Sequence, residues 1–356
     1  MIDILSLIRK ADLVGRGGAC FPTADKWSAV AKALADKPVG QKDCYIICNC
    51  SEGEPGVKKD AYLIEHYPAR IIDGMRLAME FLGSAKGIFY LNPEYHQRYK
   101  KLLADEIRKA GVDIELFKKP HAAGYIGGEE TTALNVIEGR RAEPRLRPPF
   151  PPAEGLWNKP TLINNVETFY NVSLVCKKKY KKIRFYTITG DIVYQGVYEL
   201  PENLSIKQIL KKTHNLPDFP FFVQVGGDGS GIILSDKQLT QSAVGCGSIR
   251  VYSMQKYKPQ QLILNWVNFF KLESCGQCTP CREGTYRLKE ALLEPKIDWN
   301  TVADLLDNLK ETAFCGLGAA VSIPITSYIK NILATSPESK VNLPIGTKKI
   351  ICSCFE

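Results

Sequence analysis

The sequence predicts an α/β fold in its first half, a small β-rich domain after it and a helical bundle towards the C-terminal end. Three observations predict this. Between Tyr45 and Phe117, short apolar runs alternate with helical stretches, which implies a largely parallel sheet. After the lysine run Lys177–Lys182 the pattern turns to short strands and turns. From Gln260 onward, apolar residues recur at helical spacing, and the first connection between these helices holds three cysteines.

Ile2–Lys10 suits a short amphipathic helix. Gly15–Thr23 reads GRGGACFPT, and three glycines in four residues cannot fill a helix or strand interior. This loop feeds a helix over Lys26–Leu34, an arrangement that presents backbone N–H groups to an anion, although a plain turn explains it equally well. Tyr45–Asn49 (YIICN) reads as a buried strand, followed by a polar loop over Cys50–Lys59. A helix opens at Pro68, Gly87–Leu91 is a second strand, Glu94–Lys109 a helix and Asp113–Phe117 a third strand. Ligands of such sheets gather at the carboxyl ends of the strands, so the loop after Asn49 is a candidate site. Glu129 and Glu130 open the next helix, where acidic residues complement the dipole without needing a further role. Pro160–Thr168 leads from an extended segment into another helix.

Arg184–Thr189 and Val193–Leu200 read as a hairpin, Leu204–Lys212 as a helix and Phe221–Val225 as a strand. The run GGDGSG, Gly226–Gly231, resembles a phosphate loop but lacks the following helix that a dinucleotide fingerprint requires. Four helices are expected from Gln260 onward, with cysteines in the connections at one end. The expected domains are 1–176, 177–255 and 256–335, with a tail over 336–356 that contains Cys352 and Cys354.

The chain of 356 residues carries 47 basic and 38 acidic side chains, a net charge of +9. No aromatic-interleaved basic groove or helix-turn-helix pattern accompanies that charge, so nucleic acid is not an expected partner. No apolar run is long enough to span a bilayer; the longest, Leu262–Phe270, is interrupted by Asn265 and Asn268. No secretory signal is visible, and twelve cysteines without one point to a reducing compartment. The expected location is cytoplasmic, either free or peripheral to a membrane complex.

Cys275, Cys278 and Cys281 follow C-x2-C-x2-C spacing, and Cys315 follows some thirty residues later. Such spacing lets three thiolates converge on one inorganic core, with a fourth ligand from elsewhere, as in iron–sulfur proteins. Zinc is the rival, although its structural sites more often use two separated ligand pairs.

Five stretches together resemble one family: GRGGACFPTADKW, NCSEGEPG, AGYIGGEETTALNVIEGRRAEPRLRPPFP, KPTLINNVET and ESCGQCTPCREGT. They are similar to the flavin-carrying, NADH-oxidising subunit of respiratory complex I and its relatives in NAD-linked hydrogenases and formate dehydrogenases. The resemblance implies an FMN-binding α/β sandwich, a β-grasp-like (SLBB-type) domain and a helical bundle carrying a 4Fe-4S cluster. It implies that Gly15, Arg16, Gly18, Lys26, Asn49, Ser51, Glu52, Tyr125, Gly128, Asn164 and Asn165 contact or frame FMN. Phe21, Glu54, Glu130, Arg147 and Phe150 would line the site for NAD(H) or NADP(H). Cys275, Cys278, Cys281 and Cys315 would hold the cluster. No protein acid or base is needed for hydride transfer to a flavin, so no catalytic side chain is expected. Implied partners are a thioredoxin-like 2Fe-2S subunit and a further iron–sulfur subunit.

The chain departs from the family motif NADESEPG, with Ser51 in place of an aspartate and Gly53 in place of a serine. Cys20 replaces a glycine, and Gly127 a cysteine. The altered Ser51 loop keeps open a second reading, a flavin and iron–sulfur relay without nucleotide activity. A zinc-stabilised binding module is the reading from outside redox chemistry.

Overall fold

A computed structural model describes residues 3–38, 40, 43–83, 85–243 and 245–334. Cys352, Cys354 and the expected tail lie outside them. The chain divides into two compact units, one formed by the chain up to Gly53 with Lys58–Lys182, the other by Glu54–Val57 with the chain from Ile183 onward.

The first unit runs α1 (Ile4–Lys10), α2 (Thr23–Ala35), β1 (Cys44–Cys50), α3 (Lys59–His66), α4 (Pro68–Leu82), β2 (Ala85–Leu91), α5 (Pro93–Ala110), β3 (Ile114–Lys118), α6 (Glu130–Ile137), β4 (Thr161–Asn165) and α7 (Val166–Cys176). Its four strands pair in the order β3-β2-β1-β4, every pair parallel. In register, Cys48 lies between Phe89 and Asn164, and Asn49 between Tyr90 and Asn165. The strand faces are apolar because helices cover them, as parallel sheets require. Ile47, Ile88, Tyr90 and Ile163 pack with Leu134 and Ile137 of α6 in one cluster. Gly74 of α4 lets that helix lie directly on α7, since a Cβ there would stand 2.0 Å from Phe169 O.

The stretch read as a loop to Lys59 is followed by a helix that the sequence reading missed. Helix α3 begins on Lys59 and Asp60, both buried, so charges that resemble a solvated loop are an internal ion pair. In the lysine run, Lys177 is the C-cap of α7 and pairs with Asp73 at 2.6 Å, and all five lysines are exposed.

The second unit has β5 (Ile183–Gly190), β6 (Gly196–Pro201), α8 (Ile206–Lys212), β7 (Phe221–Val225), β8 (Ile232–Ser235) and β9 (Ser248–Ser253). They form a mixed sheet of order β6-β5-β9-β7-β8, with β5 and β9 parallel and the other pairs antiparallel. A capping box of Ser205 and Gln208 starts α8, which buries Ile206, Ile209 and Leu210 against Tyr186, Val223 and Val251. Strands β8 and β9 were not anticipated. Helices α9 (Pro259–Glu273), α10 (Thr279–Leu293), α11 (Trp299–Thr312), α12 (Gly316–Ala320) and α13 (Ser322–Tyr328) follow, and α13 runs into a π-helical turn at Ile329–Leu333. Val321 keeps helical dihedrals between α12 and α13, so the chain stays helical from Gly316 to Leu333 and supplies the last of the expected helices. No helix among the described residues is long and apolar enough to cross a membrane.

Candidate functional site

In the first unit, the glycine loop is closed at its base. Gly15 N donates to Phe21 O at 2.8 Å and Thr23 N to Leu13 O at 2.9 Å. Gly18 takes φ +114°, a conformation that side chains resist, and Gly17 lies against Asn165, where a Cβ would come within 3.3 Å of that residue's Cβ. The loop thus presses onto the start of α7 and runs through Pro22 into the first turn of α2. Cys20 also has positive φ, at +51°, and its thiol reaches Gly18 O at 3.6 Å. Arg16 is buried. Its amide donates to Thr168 Oγ1 at 3.0 Å and its guanidinium to Tyr180 Oη at 3.0 Å.

The carboxyl end of β1 brings most of the other expected flavin residues together. Asn49 Nδ2 donates to Gly128 O at 2.8 Å, and Asn49 Oδ1 accepts from Ser51 N at 3.2 Å. Gly53 fits closely against Tyr125, since a Cβ there would lie 3.2 Å from Tyr125 Cα. Asn164 Oδ1 is buried and finds no hydrogen-bond partner among the described residues. A buried amide oxygen in that condition costs about 1–3 kcal/mol unless a ligand or water donates to it, which makes it a fitting contact for a polar cofactor.

Behind this surface lies a buried charge network that the sequence reading missed. Lys59 Nζ donates to Asp60 Oδ1 at 2.7 Å and Asn165 Oδ1 at 2.9 Å, and lies 3.3 Å from Glu167 Oε2. Asn165 Nδ2 donates to Asp60 Oδ2 at 2.7 Å. Asn165 therefore frames the loop with its side chain turned into the network. Glu52 behaves similarly. Its carboxylate accepts from Asp60 N at 2.8 Å, Ala61 N at 3.2 Å and Tyr95 Oη at 2.7 Å, at the start of α3. Burial, then the charge of Asp60, push the Glu52 carboxyl up to about 7. Burial pulls the Lys59 ammonium down, but Asp60, Glu167 and Glu52 outweigh it and hold it above its ordinary range.

The residues expected to line the nucleotide site fall into two sets. Glu130 Oε2 accepts from Lys26 Nζ at 2.9 Å, and Arg147 lies 3.5 Å from Glu130 and 3.8 Å from Glu129. Lys26 thus spends part of its charge on Glu130. Glu129 accepts from Thr131 N at 3.0 Å and Thr132 N at 2.8 Å, so it serves as the cap of α6. Phe21 is 51% and Phe150 54% exposed, so both keep aromatic surface open. Glu54 belongs to the other unit. There its carboxylate accepts from Gly229 N at 2.7 Å, Ser230 N at 3.1 Å and Ser230 Oγ at 3.2 Å. The loop that resembles a phosphate cradle therefore grips an anion supplied by its own chain.

Three of the four expected metal ligands sit at helix starts, and Cys275 lies in the connection between α9 and α10. Cys278 is the N-cap of α10, Cys281 lies in that helix's first turn, and Cys315 is the N-cap of α12. Gly318 allows α12 to meet α10, because a Cβ there would stand 3.2 Å from Cys281 Cβ and 2.6 Å from Ala313 Cβ. Burial pushes the Cys281 thiol up to about 11; Ser274 lowers it, while Cys278, Cys315 and Cys275 raise it further. The four thiols are thus electrostatic neighbours, although no three His, Cys, Asp or Glu side chains close into a ligating set among the described residues. Four neighbouring sulfurs can be deprotonated together only around a cationic core, so the donor set fits a thiolate-bound metal centre.

A glycine loop, an unsatisfied buried amide oxygen and a set of four neighbouring thiols fit a protein that holds a polar cofactor and a thiolate-bound metal centre. Comparisons with known proteins agree. Residues 8–174 match the Nuo51 FMN-binding domain, and residues 261–334 match the NADH-ubiquinone oxidoreductase-F iron-sulfur binding region. The NADH-quinone oxidoreductase F subunit of Aquifex aeolicus is 31% identical over 94% of this chain and 84% of its own length. The NADP-reducing hydrogenase subunit HndC of Solidesulfovibrio fructosivorans is 31% identical over 91% of this chain and 73% of its own. A crystal structure of NAD+-reducing [NiFe]-hydrogenase in the H2-reduced state superposes with a TM-score of 0.81 at 28% identity. That match covers 92% of this chain but only 60% of the hydrogenase chain. The chain belongs to the family of the NADH-quinone oxidoreductase F subunit. It is an oxidoreductase of the kind that oxidises NADH through FMN and relays electrons to an iron–sulfur centre.

Proposed function

We propose that this chain takes a hydride from NADH or NADPH onto FMN and passes single electrons through a 4Fe-4S cluster to partner subunits of a larger complex. FMN supplies the chemistry that accepts electrons in pairs and releases them singly. The glycine loop Gly15–Gly18 and Lys26 would hold its phosphate. Asn49, Ser51, Tyr125, Gly128 and Asn164 would face the flavin, with Arg16, Glu52 and Asn165 fixing the loops behind them. Phe21 and Phe150 would stack on the nucleotide, and Glu130 with Arg147 would orient it. Glu54 would reach the nucleotide only by exchanging the amides it now accepts from. Cys275, Cys278, Cys281 and Cys315 would ligate the cluster.

The observation that carries this reading is the presence in one chain of the FMN-binding match and, within the second match, the four thiols. We read the sheet of the second unit with α8 as a β-grasp-like (SLBB-type) domain and α9–α13 as a bundle around the cluster. The partners would be a thioredoxin-like 2Fe-2S subunit and a further iron–sulfur subunit, as the multi-subunit character of the relatives suggests. The complex would work in the cytoplasm or at a membrane surface.

An anaerobic titration of the cluster-replete protein with NADH, then NADPH, tests the reading. Bleaching of the flavin band by either nucleotide is expected and names the donor. Flavin that neither reduces would overturn the dehydrogenase assignment in favour of a relay. A colourless protein after reconstitution with iron, sulfide and FMN would overturn both.

A further inference from the structure

Residues 140–155, between α6 and β4, form neither helix nor strand, yet they carry Arg147 and Phe150. Pro144, Pro148, Pro149, Pro151 and Pro152 remove backbone donors that a ladder would use. Arg145 ties the segment to α6. Its amide donates to Thr131 Oγ1 at 2.9 Å, its Nε to Asn135 Oδ1 at 2.8 Å and its Nη1 to Gly155 O at 2.9 Å, while Nη2 lies 2.8 Å from Glu138 Oε2. Thr131, Asn135 and Glu138 follow helical spacing, so one face of α6 with its C-cap receives the residue. Gly155 lies ten residues beyond Arg145, and that bond closes the stretch containing Arg147 and Phe150 into a loop. Asn135 Nδ2 donates to Glu143 O at 2.6 Å, and Glu138 Oε1 accepts from Trp157 N at 2.7 Å, so the same helix face grips the chain on both sides of the loop. The Thr131 hydroxyl also donates to Glu129 Oε2 at 2.6 Å, which links the clamp to the start of α6, where Arg147 lies 3.5 Å from Glu130.

We propose that Arg145 is a positioning residue for the nicotinamide nucleotide, a clamp between α6 and the loop that presents Arg147 and Phe150. This rests on the reading that those two residues line the nucleotide site. The role of the guanidinium is geometric. Glu138 answers its charge, and its rigid fork reaches Asn135, Gly155 and Glu138 in three directions at once, which the compact ammonium of a lysine does not reproduce. A clamped loop meets the nucleotide already ordered. A released loop must be ordered by the nucleotide itself, and binding weakens by that cost. Thr131, Asn135, Glu138 and Gly155 are none of them assigned to FMN, so the flavin's affinity is expected to hold.

The test uses the full-length chain reconstituted with FMN and its cluster, with NADH or NADPH as donor and ferricyanide as acceptor. Arg145→Lys is expected to raise KM for the donor about tenfold, with kcat and the FMN dissociation constant within about twofold of the parent. A background of Arg147→Met with Phe150→Leu lacks both groups that the clamp presents. There, Arg145→Lys should change kcat/KM by less than about twofold. Hydrogen exchange supplies a readout without turnover. The amides of Ala153, Glu154 and Gly155 should exchange about tenfold faster in Arg145→Lys, with those of α6 unchanged. Should Arg145→Lys fail to fold, Glu138→Gln decides, with KM raised about threefold at unchanged kcat. In an active protein, an unmoved KM or unmoved exchange overturns the proposal alone. So does a parallel fall in kcat and FMN affinity, or a full effect of about tenfold in the background without Arg147 and Phe150. A parent whose flavin neither nucleotide reduces overturns the nucleotide reading and the proposal with it.

Discussion

Replacing Lys59 by methionine tests the buried network that supports the site. Lys59 is 2% exposed and joins Asp60, Asn165 and Glu167. Methionine fills much of the same volume, so packing changes little, but two buried carboxylates lose the cation they share. Breaking a buried ion pair from one side costs about 3–5 kcal/mol. For a domain of this size each kcal/mol moves the melting temperature by about 2–4 °C, so a loss of about 12 °C is expected for the first unit. Circular dichroism of the full-length chain follows it. The triple variant Lys59→Met, Asp60→Asn, Glu167→Gln should recover most of the loss, because it removes the uncompensated charges together. If the single variant melts within about 2 °C of the parent, or the triple variant is no better than the single one, the charge argument is wrong.

Other consequences are as open to measurement. The Glu52 carboxyl is pushed up to about 7 from an ordinary 4.5, so the folded state binds more protons than the unfolded one between those values. Stability should therefore fall as pH rises through that window, and Glu52→Gln should flatten the decline in unfolding midpoint against pH. Gly318→Ala forces a Cβ to 2.6 Å from Ala313 Cβ, an overpacking of about 1–3 kcal/mol beside Cys281, and should lower the iron and sulfide content of the reconstituted protein. Gly316→Ala, with nothing within 4 Å of the new atom, should leave it unchanged. Glu54→Ala removes an acceptor of two amides and a hydroxyl and should destabilise the protein by about 2 kcal/mol in a urea titration. Weaker NADH binding at full stability would instead return Glu54 to the nucleotide.

The parallel sheet was legible because its strands are continuous apolar runs between helices, as in YIICN and GIFYL. Helix α3 was not, because its first two residues are charged and only tertiary structure reveals that each neutralises the other. Strand β9, SIRVYS, alternates polar and apolar residues and carries Arg250, whose partner Asp228 lies on a distant turn. Within the site, the C-x2-C-x2-C spacing marks Cys275, Cys278 and Cys281 as candidate ligands without any structure, since three thiols two residues apart have few other uses. The candidate flavin residues emerge only from a set of motifs taken in order. Lys119, buried directly after β3 with its ammonium donating to Ser51 Oγ at 2.8 Å, left no trace, because a lysine at the end of a strand normally lies in solvent. It packs beside Gly127, eight residues on, and Ser51, remote in sequence, and no local pattern joins the three.

The position of the cysteines at helix starts bears on how the metal centre is built. In a small zinc domain the metal creates the fold, and removing it unfolds the chain. Here Cys281 is already inside α10, and Cys278 and Cys315 already cap α10 and α12 with apolar residues buried behind them. The helices that carry these three cysteines are thus held by their own apolar contacts, and a chelator is expected to release a metal bound there while helical circular dichroism persists; loss of the helical signal on chelation would refute this.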